Sequence, residues 1–258
     1  DATNIPANMR VWMQMYADEL ARAAMLPPVA NAQRAAEYYP TIEPLLGNTA
    51  WNQDAPYNNH CPIDPNTNQR SVTGCMATAT TQIMYHHKHP QKGTGSYSYW
   101  WQGRTLSVDY SKETYDWQNM LPSYKSGYTQ VQADAVAKLM YHVGVASNTW
   151  YSSSASGAGM GTSMQALVRN FDYDAGIRVL MKDYMDEEMI MDVIAEDLQD
   201  SHPILIEALT KNDEGHAFVC DGMQADGFIH INWGWGGYAN GYFALSAMNP
   251  ENQGIGGA

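Results

Sequence analysis

The chain has 258 residues, 45% apolar and 16% charged, and its 14 basic residues against 27 acidic ones give a formal charge of −13. That length can bury a full core in one large domain or two small ones, and no run of about 18 consecutive apolar residues offers a membrane span. The acidity opposes phosphate backbones and anionic lipid, which excludes nucleic acid and membrane surfaces as expected partners, though a solubility role for the charge fits the same numbers.

The first residues, "DATNIPANMR", lack an initiator methionine, a basic n-region and an apolar h-region, so any targeting segment is expected to be absent or already removed. Low lysine with abundant Asn, Tyr and Gly hints at an exported protein. In residues 8–26 the positions of Met9, Trp12, Met13, Tyr16, Leu20 and Ala24 predict a helix, and the paired prolines Pro27 and Pro28 end it. This helix is either a surface element of the domain or a detachable N-terminal one on a cuttable linker.

Cys75 opens a second helical pattern, with Met76, Thr80, Ile83, Met84 and His87 on one side and Pro90 as its stop. The cluster His86, His87, Lys88 and His89 suits the C-terminal end of the helix dipole better than it suits a metal. Residues 93–127 are rich in aromatics, Gly and Ser without sustained period, which predicts irregular structure or short strands. A helix over 128–145 carries Val131, Ala135, Leu139 and His142, and the small residues of 151–163 predict a flexible loop. Two more helices follow in "SMQALVRNF" and "DEEMIMDVIAEDLQD". After Pro203 the pattern changes to short strands in "PILIEAL", "HAFVCDG", "FIHINW" and "GYFALSAM".

Three cysteines, Cys61, Cys75 and Cys220, cannot all pair, and no C-x-x-C spacing suggests zinc. A cysteine at a helix N-terminus feels the positive end of the macrodipole, which favours the thiolate and makes a nucleophile. Free cysteine is also among the most buried residue types, so Cys75 needs a second group before chemistry is assigned to it. That group is a histidine base, steered by a third polar residue. If the turn after His216 centres between Gln224 and Ala225, the hairpin sets His216 opposite Trp233 and beside Asn232, whose amide can accept the Nδ1–H. His230, mid-strand, reads as structural. Cys220 alternates inward with Phe218 and reads as core, whereas Cys61 precedes Pro62 in a loop and reads as exposed.

The string "GHAFVCDG…FIHINWGWGGYANGYFAL" resembles the His and Asn segment of papain-like cysteine peptidases. "TGCMATATTQIMYHHKHP" and "WNQDAPYN" resemble, more closely, the streptopain family of bacterial peptidases. The resemblance covers roughly residues 42–253 in three separated blocks. It implies an α+β, papain-like fold of two subdomains, a helical part carrying the nucleophile helix and an antiparallel sheet part, with the active-site cleft between them. It implies Cys75 as nucleophile, His216 as base and then acid, Asn232 as the residue orienting His216, and Trp233 as its shield from water. Gln53 would join the Cys75 backbone N–H in the oxyanion hole. Gly157 and Gly215 would contact the substrate, and mobility of the loop around Gly157 would gate access.

The expected function is therefore a secreted cysteine endopeptidase acting on protein or peptide substrates as a monomer, with no metal or organic cofactor. Residues 1–40 would be an N-terminal helix and linker resembling the tail of a pro-region, a partner that could hold Cys75 in check. Residues 41–258 would be the catalytic domain, its last strand missing after "NQGIGGA". Acyl transfer of transglutaminase type is the alternative, disfavoured by Asn232 standing where those proteins usually carry a carboxylate, and a non-catalytic peptide-binding role is the second.

Overall fold

A computed structural model describes residues 39–209 and 215–245. The expected helix at 8–26, nearly all of the segment 1–40 and the expected loss of a strand after the C-terminal glycines lie outside them. The described residues fall into two compact units, one of residues 48–179 and 233–238, the other of 39–47, 180–209, 215–232 and 239–245.

In the first unit, a short hairpin of β1 (Ile63–Asp64) and β2 (Gln69–Arg70) precedes helix α1 (Cys75–His87). Lys88 ends α1 in a left-handed conformation and returns its N–H to the last turn, so the helix stops just before the expected Pro90. The aromatic stretch after it forms the antiparallel pair β3 (Tyr97–Trp101) and β4 (Arg104–Val108), closed by Gln102 and Gly103 at positive φ. Helix α2 (Gln130–Ala146) starts at Thr129, whose side chain accepts from the Gln132 N–H while the Gln132 side chain accepts from the Thr129 N–H. Helix α3 (Met160–Asn170) follows the small-residue loop.

The buried face of α2 is Val136, Leu139, Met140 and Val143. Val131, predicted on that face, is 59% exposed, because the buried stripe begins one turn later at Ala133 and Val136. Aromatic residues fill the remaining core, with Trp51, Trp101, Tyr110, Tyr151 and Phe171 fully enclosed. Each such ring buries on the order of 150–250 Å² and supplies much of the apolar driving force. The polar ends are satisfied: the Trp101 indole donates to Tyr151 O at 3.1 Å and the Tyr110 hydroxyl to His142 O at 2.8 Å. His142 itself lies among these rings with Nδ1 at 3.2 Å from the Tyr115 hydroxyl, and burial pushes it down to about 4.

The second unit is a four-stranded antiparallel sheet in the order β5 (Ile204–Leu209), β6 (Gly215–Met223), β7 (Ile229–Asn232), β8 (Gly241–Phe243). Helix α4 (Glu187–Gln199) covers it with Met191, Ile194, Ala195 and Leu198. Asp186 caps α4 by accepting the Met189 N–H at 2.8 Å, and Glu187 and Glu188 occupy the first turn, where acids suit the dipole. Asp221, buried in β6, accepts the Leu46 N–H on Oδ2 at 3.0 Å and holds His230 Nδ1 on Oδ1 at 2.6 Å. This agrees with the structural reading of His230.

Candidate active site

Cys75 is the first residue of α1 and is partly exposed. The residue before it, Gly74, sits at φ 89°, ψ 148°, a left-handed conformation that side chains disfavour. A Cβ there would also come within 2.7 Å of the Ser156 carbonyl oxygen, so two independent constraints demand glycine. No side chain caps this helix start and no acidic residue lies in its first turn. The positive end of the dipole is thus left for the Cys75 sulfur.

Gln53 joins Cys75 in this unit. Its backbone carbonyl accepts the Thr73 N–H at 3.1 Å, two residues before the cysteine, and its residue is only 8% exposed. The same strand of chain is fixed further by Trp51, whose indole donates to Leu121 O at 2.8 Å and whose carbonyl accepts the Gly236 N–H at 2.8 Å. Asn52 steadies it locally by accepting the Gln53 N–H at 2.8 Å.

Residues 233–238, which directly follow Asn232, belong to this unit as well. Trp233 is buried and stacks on Trp235 with ring centroids 5.4 Å apart at 15°. Gly234, Gly236 and Gly237 all have positive φ, and a Cβ at Gly234 would press on Thr78 of α1 at 3.2 Å. The glycines let the chain leave the β7 ladder and lie against helix α1.

Gly157 does not sit in a loose loop. It exchanges both backbone hydrogen bonds with Trp150, at 2.8 and 3.1 Å, and residues 152–156 between them are bonded to the chain on two sides. The sequence predicted flexibility from small residues, but those serines supply hydroxyls that close the loop on itself and on its neighbours.

The second unit carries His216, Asn232 and Gly215. Gly215 is exposed at the start of β6, opposite Leu209. His216 is buried, pairs with Ala208 of β5, and stacks on Phe218 with centroids 5.8 Å apart. Asn232 is buried and pairs with Val219. The expected register, with His216 opposite Trp233, is not the one observed. The turn comprises Ala225, Asp226 and Gly227, with Gly227 at φ 85° and Gln224 N–H bonded to Phe228 O at 2.8 Å, so the hairpin centres on Asp226. A bulge between Cys220 and Gly222 then shifts the pairing back by one residue, which still leaves it off the expected register. On the β7 side the ladder begins at Val219 and Asn232, and His216 lies beyond that last rung.

The other two thiols are unlike Cys75. Cys61, expected to be exposed, is 1% exposed, and burial pushes its thiol up to about 12. It belongs to the aromatic core cluster that includes Tyr151, and Arg70 of β2 donates to its carbonyl at 2.6 Å. Cys220 is core as expected, and its thiol is pushed higher still by the same cause. Both are held as thiols, which are poor nucleophiles. Among the described residues no group of three or more His, Cys, Asp or Glu is arranged to hold a metal ion.

Two buried carboxylates, one in each unit, have no assigned role from the sequence. Asp221 interrupts the apolar run "HAFVC" and "GM", a signal of a buried partner. Asp64 precedes "PNTN", whose spacing signals an Asx turn but not the distant contact it makes.

Comparison with known proteins identifies the family of the chain. The Peptidase C10 family profile matches residues 51–243. The thiol protease/hemagglutinin PrtT of Porphyromonas gingivalis is 32% identical over 99% of this chain, which spans 31% of PrtT. Streptopain of Streptococcus pyogenes is 31% identical over 97% of this chain and is spanned to 67%. Among solved structures, active wild-type interpain A cysteine protease of Prevotella intermedia is similar with a TM-score of 0.75 and 34% identity, covering 83% of this chain and 91% of its own. A prointerpain A fragment from the same organism gives 0.76 and 31%, covering 91% of this chain and 76% of its own. The chain belongs to the Peptidase C10 family, with the α+β papain-like fold and the cysteine-type peptidase chemistry that this membership carries.

Proposed function

We propose that the chain is an exported cysteine endopeptidase in which Cys75 and His216 act as a thiolate–imidazolium pair. The Cys75 thiolate attacks a peptide carbonyl, and the oxyanion that forms is held by the Cys75 backbone N–H and the Gln53 side-chain amide. His216 passes its proton to the leaving amine, which departs and leaves a thioester on Cys75. Neutral His216 then takes a proton from water, whose oxygen attacks the thioester and releases the acid and the thiolate. Asn232 orients the His216 ring, and Trp233 keeps water from that hydrogen bond. The backbone at Gly157 and Gly215 contacts the substrate main chain.

The observation that carries this reading is the pairing of Gln53 O with Thr73 N at 3.1 Å, at the uncapped start of the helix that Cys75 opens. It ties the proposed oxyanion donor and the proposed nucleophile to one rigid piece of backbone. The low lysine content supports export. Residues 1–40 are read as the tail of a pro-region, supported by the larger share of this chain that the prointerpain A fragment covers, 91% against 83%.

The test is hydrolysis of a peptide library under reducing conditions, with and without a cysteine-peptidase inhibitor. Cleavage that the inhibitor stops is expected. Transfer of the acyl group to an added amine in place of hydrolysis would overturn the assignment.

A further inference from the structure

The loop carrying Gly157 is tied to a carboxylate far away in the chain. Asp64 is only 3% exposed. Its Oδ2 accepts the Ser153 N–H at 2.9 Å and the Ser153 hydroxyl at 3.2 Å, and its Oδ1 accepts the Asn66 N–H at 2.9 Å. Thr67, in the turn between β1 and β2, donates to the Ser153 hydroxyl at 2.8 Å and completes the grip.

From Ser153 the contacts continue to the nucleophile helix. The Ser156 hydroxyl accepts the Ser152 N–H at 2.9 Å and donates to Val72 O at 2.7 Å, while Val72 N–H donates to Ser152 O at 3.0 Å. The Ser156 carbonyl lies against Gly74. The loop is thus wedged between the β1–β2 hairpin and the three residues that lead into Cys75, with Gly157 at its far end.

We infer that Asp64 is a positioning residue for catalysis, fixing the 152–156 loop so that Gly157 meets the substrate main chain beside Cys75. A carboxylate suits this task because one oxygen can take two donors from Ser153 while the other holds the turn that places it. The hydrogen bonds from the backbone amides of Ser153 and Asn66 hold the Asp64 carboxyl below its ordinary range, so it stays ionised where a peptidase works. Neither oxygen contacts the reacting atoms, and Asp64 acts only through the loop.

The inference rests on the proposed peptidase reading, and its test separates the two. Asp64→Ala, Asp64→Asn and wild type are compared in peptide hydrolysis, in Cys75 alkylation by iodoacetamide, and in amide hydrogen exchange at residues 152–156. Asp64→Ala is expected to raise KM by about 10-fold or more, since small displacements of positioning groups cost up to about 100-fold in rate. The alkylation rate should stay within about threefold, because a small reagent does not use the loop, and exchange at 152–156 should quicken. Asp64→Asn, whose amide oxygen can still accept from Ser153 while its NH2 no longer accepts the Asn66 N–H, should recover part of the lost affinity. An unchanged KM in Asp64→Ala overturns the inference, as does a loss of alkylation and hydrolysis together that Asp64→Asn does not restore, which would make Asp64 a purely structural residue. If wild type hydrolyses nothing, the peptidase reading fails, and the exchange rates still report whether Asp64 holds the loop.

Discussion

The Gln53 carbonyl and the Thr73 amide are joined by a 3.1 Å hydrogen bond, so the chain bearing the proposed oxyanion donor is anchored by its backbone and not by its side chain. Gln53→Ala should therefore remove a catalytic donor while leaving the anchor in place. Its kcat is expected to fall about 100- to 1000-fold with a nearly unchanged unfolding midpoint. Steady-state kinetics beside a urea melt checks this, and a drop in stability that matches the loss of rate would count against the role.

Gly74 combines a positive φ with the Ser156 carbonyl 2.7 Å from where a Cβ would be. Gly74→Ala should cost about 1–3 kcal/mol in backbone strain alone, and relief of the clash must move either the loop or the first turn of α1. A fall in kcat/KM of about 100-fold is expected. Gly161→Ala is the control: it lies in α3 with nothing within 4 Å of an added Cβ, and should be neutral or slightly stabilising.

How far the sequence reveals this arrangement depends on the range of the interaction concerned. Helix α1, its stop, the capping acids of α4 and the four final strands follow from local spacing and local chemistry, and the structure has them near the expected positions. The hairpin register does not, because a two-residue turn and the observed three-residue turn both fit "MQADGF", and the bulge at Asp221 has no local signature. Cys61 joins a core of aromatics distant in sequence, and the hairpin that follows it is fixed by contacts to Ser153 and Gln102, 89 and 36 residues away between the bonded partners. The 152–156 serines look mobile one by one and are fixed by Asp64 and Val72. The family motifs point to Cys75, His216, Asn232 and Gln53, whereas Asp64 requires the fold.

His142 supplies a pH signature independent of catalysis. Its folded value, pushed down to about 4 chiefly by burial, lies below the ordinary 6.5, with the neighbouring Glu113 opposing that shift and Lys138 and His60 adding to it. Between those values the unfolded chain takes up a proton that the folded chain refuses. Stability is therefore full above about pH 6.5 and falls as the pH drops toward 4, by up to about 3 kcal/mol from this group. Urea midpoints measured across that range should decline, and His142→Gln should flatten the decline even if it lowers stability throughout. An equally steep decline in the variant would exclude His142 as its source.

The central claim is that Cys75 is the nucleophile, and the burial of the other two thiols makes it directly measurable. The native protein is treated with a thiol alkylating reagent while peptide hydrolysis is followed, and the modified residue is located by mass spectrometry. One adduct, at Cys75, should form in step with the loss of hydrolysis, and Cys75→Ala should take up no label and hydrolyse nothing while folded. Hydrolysis that persists with Cys75 fully alkylated, or in Cys75→Ala, would contradict the account.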